Sequence, residues 1–304
     1  MNNVSICKSS AVGSSSSIVI IVHTARSHFM ERHAIRETWG SIKLYKGWKF
    51  HLVFLLGTDP TGNDELDLSL RDEYRQYGDM VMGNFVDSYK NLTYKHLMGY
   101  KWVMSFCSDA KLVLKTDDDM FVDIFQLVEV MLVELVYSNN AYACLNMKGN
   151  KPIRSVDNVW YVSEDLYSGE EYPEFCSGTA YLMKTQVAAK IFSVSNQTKF
   201  FWIDDVYVTG ILREHYSIQM NYSDHKRLDI LWMNGRYNLS MSWRNEIESW
   251  CNTGLNEQFK YTFALLNKDK ILGDMFCIWN KVRLLKFAMN HAFEQPTPQT
   301  GTIT

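Results

Sequence analysis

The sequence predicts an α/β fold built on a mainly parallel, Rossmann-like sheet flanked by helices. Two observations carry this. Strand-length apolar runs alternate with helix-length segments from residue 18 to residue 147, an order that implies right-handed βαβ crossovers. The fourth strand also runs directly into three consecutive carboxylates, Asp117-Asp118-Asp119. In an α/β sheet, ligands bind at the carboxyl ends of strands.

Taken in order, Ile18–Val22 is β-branched throughout and reads as a short buried strand. A polar helix follows over Met30–Trp39, then a strand over His51–Leu56 that ends at Gly57. Leu66–Tyr77 has helical spacing and stops at Gly78. Asp79–Phe85 is the third strand and Tyr89–Phe106 a longer helix carrying aromatic residues. Lys111–Thr116 is the fourth strand; helix Ile124–Tyr137 and strand Ala141–Met147 complete the alternation. A turn-rich segment then reaches Pro173. It leads to a strand at Thr179–Met183, a helix at Thr185–Phe192, and a second helix, Val206–Glu214, entered through Phe201-Trp202-Ile203-Asp204-Asp205. Asn234–Thr253 is polar and aromatic, and Tyr261–Phe287 has some helical periodicity.

At 304 residues with 46% apolar and 21% charged residues, the chain can bury a full core. Its net charge of −3 and scattered Lys/Arg residues exclude a nucleic-acid partner. The aromatic content suits sugar-facing surfaces as well as core. None of the six cysteines forms a CxxC pair, so neither a zinc site nor a thioredoxin-type motif is indicated. Their even number is compatible with disulfides, of a pairing that spacing does not reveal. Asn-X-Ser/Thr sequons at Asn3, Asn91, Asn196, Asn221 and Asn238 point toward the secretory route. The best apolar run, Ile18–Val22, is too short to span a bilayer, and the Ser-rich start does not resemble a signal peptide, so no membrane anchor is evident.

Three adjacent carboxylates at a strand end repel one another and resist desolvation. A divalent metal bringing a phosphate with it resolves that conflict; alternatively one Asp caps the helix beginning near Asp123 and the others are solvated. Arg32 and Arg36 lie four apart on one helix face, suited to diphosphate oxygens or to surface salt bridges. Asp204-Asp205 precedes a helix as a cap, or supplies a base.

Five segments occur in order: Arg32-His33-Ala34-Ile35-Arg36-Glu37-Thr38-Trp39-Gly40, Asp87 to Lys95 (D-S-Y-K-N-L-T-Y-K), Lys115 to Asp119, Tyr172 to Tyr181 (Y-P-E-F-C-S-G-T-A-Y), and Trp202 to Gly210. Together they resemble the beta-1,3-galactosyltransferase and beta-1,3-N-acetylglucosaminyltransferase family, galactosyltransferase and Fringe-like, over Ile18 to His225. The resemblance implies a GT-A glycosyltransferase fold, a UDP-sugar donor, a glycan acceptor on protein or lipid, a Mn2+ ion, and a β1,3 linkage made with inversion. It implies Asp119 as direct metal ligand, with Asp117 reaching the ribose or the metal, and His225 as a further ligand. Arg32, Arg36, Lys95, Asp117 and Asp118 become donor-binding candidates, and Asp205 the general base that takes the acceptor proton. It implies a lumenal domain attached to the Golgi membrane, with Asn91, Asn196, Asn221 and Asn238 as glycosylation candidates. The expected organisation is a polar N-terminal segment (1–17), a transferase domain (18–290, divided into a nucleotide-binding half, 18–147, and an acceptor-side half, 148–290), and a disordered tail (291–304).

Two positions depart from the family pattern. Asp204 stands where its E-D-V motif has glutamate, and Ala180 where S-G-T-G-Y has glycine. Galactose is the first expected donor sugar and N-acetylglucosamine the second. A non-catalytic UDP-sugar or glycan binder and a nucleotidyltransferase are the competing classes.

Overall fold

The computed structural model describes residues 1, 5–7, 16–59, 62, 64–132, 135, 142–218, 230–231, 242–252, 259, 261–266 and 268–293. Strand β1 (Ser17–His23) leads to α1 (Phe29–Glu37). The short β2 (Leu44–Tyr45) forms a hairpin with β3 (Trp48–Thr58), followed by α2 (Asp64–Tyr77), β4 (Met80–Val86) and α3 (Leu92–Phe106). Then come β5 (Leu112–Asp117), β6 (Met120–Val122), α4 (Ile124–Gln126), β7 (Tyr142–Met147), β8 (Phe175–Lys184), α5 (Thr185–Val194) and α6 (Leu212–His215). Strand β9 (Ile230–Leu231), α7 (Ser242–Asn252), β10 (Phe263–Leu265) and α8 (Ile271–Phe293) complete the described elements.

The main sheet runs β3-β1-β5-β8-β7, with β2 and β4 both pairing β3. The pairs β4–β3, β3–β1 and β1–β5 are parallel, as the alternation predicts. Strands β8 and β7 are antiparallel to their neighbours, so the far side of the sheet departs from the parallel expectation. A second sheet, β6-β10-β9, is assembled from distant parts of the chain and has no signal in the sequence pattern. Helix α4 passes into a π-helical turn at Leu127–Met131, and the helix expected at Val206 is π-helical to Ile211 before α6. Helix α8 extends to Phe293; the residues beyond it in the expected tail lie outside the described set.

Strand alternation sorts side chains between two buried layers. Ile18, Ile20 and Val22 of β1, Leu112 and Leu114 of β5, and Ala180 and Leu182 of β8 pack one face with Trp39, Met275 and Ile278. Val19 and Ile21, Val113, and Tyr181 and Met183 pack the other, with Tyr100 and Val103 of α3. The same parity carries His23, Lys115 and Asp117 to the α3 side. The register sets His23 opposite Asp117, and Lys115 between Ile21 and Tyr181. Two apolar faces thus leave one cluster of ionisable groups at the carboxyl end of the parallel strands.

The cysteines close three disulfides, Cys7–Cys107, Cys144–Cys176 and Cys251–Cys277. No described helix is long and apolar enough to cross a membrane.

Candidate active site

Asp117 ends β5, and its Oδ1 accepts a 2.6 Å hydrogen bond from Lys115 Nζ. That ammonium also donates to the carbonyl of Gly178 in β8. The Gly178 amide in turn donates to Asp205 Oδ2 at 3.0 Å. A single lysine and a single glycine therefore join three of the sequence segments, the acidic run, S-G-T-A-Y and D-D-V. Asp205 Oδ1 accepts from the Val206 amide at 2.8 Å, so this carboxylate caps a helix and faces the cluster at once. The two readings of Asp205 open in the sequence are compatible.

The electrostatics follow from this crowding. Burial, with the Asp119 charge, pushes Asp117 up to about 7 despite Lys115. Asp119 is also raised, by burial and then by Asp118. Asp119 Oδ1 is buried without a hydrogen-bond partner among the described residues. Carboxylates that resist ionisation beside a partnerless buried oxygen fit a divalent cation with oxygen ligands, which would hold both charged. Capping of the next helix falls instead to Asp123, which accepts from the amides of Phe125 and Gln126. Asp118 bonds His28 Nδ1 at 2.8 Å, raising the histidine's proton affinity.

Burial and the charge of Asp204 push Asp205 up. Asp204 itself is held below the usual carboxylate range: burial opposes this, but the hydrogen bond from His96 and the charge of Lys115 outweigh it. His96, with Nδ1 2.8 Å from Asp204 Oδ2, was not singled out in the sequence, nor was His23, 3.9 Å from the same oxygen. The available signal was a His and a Tyr four residues apart on the buried face of α3, His96 and Tyr100.

Other expected site residues are committed elsewhere. Arg32 is fully buried and bonds Glu73 through Nε and Nη2 at 2.8 and 2.7 Å. Arg36 grips Asp79 with two 2.8 Å bonds and Glu73 with one of 2.6 Å. Burial alone would raise Glu73, yet these arginines hold it below the usual range. The guanidiniums bolt α1 to α2 and to the turn before β4 and are turned to those carboxylates rather than to the acidic run. Lys95 is likewise buried, donating to Thr24 O at 2.6 Å and Asp87 Oδ1 at 2.7 Å. Ala180 projects into the core layer opposite the cluster, so its Cβ does not crowd the site. Asn91 donates to Val86 O, and Asn196 is exposed just after α5. Asn3, Asn221, Asn238 and His225 lie outside the described residues.

The galactosyltransferase family model matches residues 30–224. Beta-1,3-galactosyltransferase 1 of Mus musculus is 40% identical over 199 residues, 65% of this chain and 60% of that one. Beta-1,3-galactosyltransferase 2 of Homo sapiens is 38% identical over 192 residues, 63% of this chain and 46% of that one. The chain thus spans less than two thirds of the length of these relatives. Among solved structures, the WbbM bifunctional glycosyltransferase aligns with 94% of this chain and 53% of its own at 13% identity and a TM-score of 0.45. A glycosyltransferase involved in glycosylation of the major capsid of PBCV-1 covers 86% of this chain and 99% of its own at 9% identity and a TM-score of 0.41.

Proposed function

The chain belongs to the galactosyltransferase family, and on that premise we propose that it transfers a hexose, galactose first, from a UDP-sugar to a glycan hydroxyl in a β1,3 linkage with inversion. The observation that carries this reading is the link Asp117–Lys115–Gly178–Asp205, which sets the acidic run beside the carboxylate aligned with the family's base. Single displacement requires a base on the acceptor side and charge neutralisation on the leaving-group side. Those are the two ends of this link.

Asp119 and Asp117 would hold a divalent cation, manganese by family resemblance, which supplies neutralisation of the departing diphosphate. Asp205 receives the acceptor proton on its carboxylate. Its raised proton affinity, from burial and from Asp204, suits a base working near neutral pH. Lys115 keeps Asp117 oriented and balances the cluster's negative charge. The Gly178 amide fixes Asp205 Oδ2, and the Val206 amide fixes Oδ1. The GT-A assignment, a lumenal Golgi location and attachment to its membrane belong to the same reading. The three disulfides support an oxidising compartment.

The test is purified protein with Mn2+ and a panel of UDP-sugars, with and without acceptor glycosides. UDP release should require metal and be lost in Asp119→Asn. Donor binding without consumption of any sugar would support the binding-only alternative.

A further inference from the structure

Three polar rings are buried between α3 and the sheet. His96 and Tyr100 come from successive turns of α3 and Tyr181 from β8, and all three are fully inaccessible. Such groups are costly unless their polar atoms are matched. They are matched in one line that ends on Asp204. Tyr100 and Tyr181 hydroxyls lie 2.6 Å apart, the Tyr181 hydroxyl bonds His96 Nε2, and His96 Nδ1 is 2.8 Å from Asp204 Oδ2.

Hydrogen-bonding capacity sets the direction of this line. An ionised Asp204 only accepts, so His96 Nδ1 carries the hydrogen and donates. Nε2 is then an acceptor for the Tyr181 hydroxyl, whose oxygen accepts from Tyr100. The reverse polarity would direct the Tyr100 hydrogen to the Met183 sulfur, 3.4 Å away and a weak acceptor. Burial lowers the proton affinity of both His96 and His23, which agrees with this assignment. His23 stands edge-on to His96, with ring centroids 5.0 Å apart, and its Nδ1 is too distant from Asp204 for a hydrogen bond.

We propose that His96 is a positioning residue for transfer: backed by Tyr181 and Tyr100, it holds Asp204 as a fixed carboxylate beside Asp205. The proposal rests on the reading of Asp205 as the base. Without the His96 bond, the Asp204 side chain keeps its own backbone amide, the charge of Lys115 and the more distant His23, and loses its one side-chain hydrogen bond among the described residues. Asp205 is the next residue and shares that backbone.

The charged and titratable groups facing the pair are His23 of β1, Lys115 and Asp117 of β5, Tyr181 of β8, His96 and Tyr100 of α3, and Tyr89 in the turn before α3. All but residue 96 are shared by the two variants at that position. His96→Asn keeps a donor at the Nδ1 position, whereas His96→Leu keeps none.

The experiment compares both variants with wild type in transfer kinetics across pH and in 15N-histidine NMR of the full chain. We expect wild type to show a buried neutral histidine in the Nδ1–H form, a signal missing from both variants and perturbed by Tyr181→Phe. His96→Leu should lower kcat on the order of 100-fold with little change in donor KM, and move the acid limb of the kcat profile to lower pH. His96→Asn should recover most of that loss. Folded His96→Leu protein with kcat within about twofold of wild type and an unmoved pH limb would overturn the proposal. So would equal losses in the two variants. A missing Nδ1–H signal would overturn the line of hydrogen bonds itself. If the signal is present but wild type consumes no UDP-sugar, the transferase reading fails, and the positioning role for transfer fails with it.

Discussion

Asp205 and Gly178 are fitted to each other: the Asp205 Oδ2 accepts the Gly178 amide at 3.0 Å, and a Cβ placed on Gly178 would stand 3.2 Å from that same oxygen and from the Asp205 Cβ. That separation is tighter than ordinary van der Waals contact, so a larger residue at 178 displaces the carboxylate it should hold. Gly178→Ala is expected to fold normally and lose transfer on the order of 10- to 100-fold. Donor binding, measured by calorimetry with UDP-sugar and Mn2+, should be retained. Transfer at wild-type rate would show that Asp205 can move without consequence.

The acid limb of transfer should report Asp205. A base works only when deprotonated, and burial with the Asp204 charge sets its proton affinity at about 7. The rate should therefore fall as pH drops through that value. Asp204→Asn removes the neighbouring negative charge, so its limb should move to lower pH. A limb that stays in place would assign it to another group.

Arg32 and Arg36 offer a stability prediction. Glu73 accepts from both, and its side chain is 8% exposed. Glu73→Gln leaves the buried Arg32 without its carboxylate and Arg36 with Asp79 alone, and should cost about 3 kcal/mol. Chemical denaturation would measure this. UDP-sugar affinity of the folded variant should be unchanged, and a large drop would return the arginines to the donor site.

Helix α8 is pinned by a pH-sensitive contact. Lys286 and Lys46 each lie 2.6 Å from a Glu129 oxygen, and the Tyr45 hydroxyl donates at 2.6 Å. Burial would raise Glu129, but these three donors hold it at about 2, against an ordinary 4.5. A depressed folded-state value contributes stability that is full above pH 4.5 and is lost as pH falls toward 2. Glu129→Gln should flatten the pH dependence of unfolding in that window while lowering neutral stability by about 1 kcal/mol. Identical slopes for the two proteins would exclude this contact as the source.

Much of the architecture and chemistry is legible in the chain itself. The β-branched run at Ile18–Val22, the helical spacing that stops at Gly78 and the apolar approach to Asp117 are local signals, because a strand or helix advertises its buried face within a few residues. The acidic run and Asp204-Asp205 are legible for the same reason: their residue types carry their chemistry wherever they fall. The tertiary structure decided whatever depends on partners remote in sequence. It turned β7 and β8 antiparallel, directed Arg32 and Arg36 into Glu73 and Asp79, and sent the Ala180 methyl into the core rather than toward the site. It also brought His96 to an aspartate 108 residues away. An arginine or a histidine has the same donors in every setting, and which acceptor it meets depends on the packing of distant elements, which periodicity and composition do not encode.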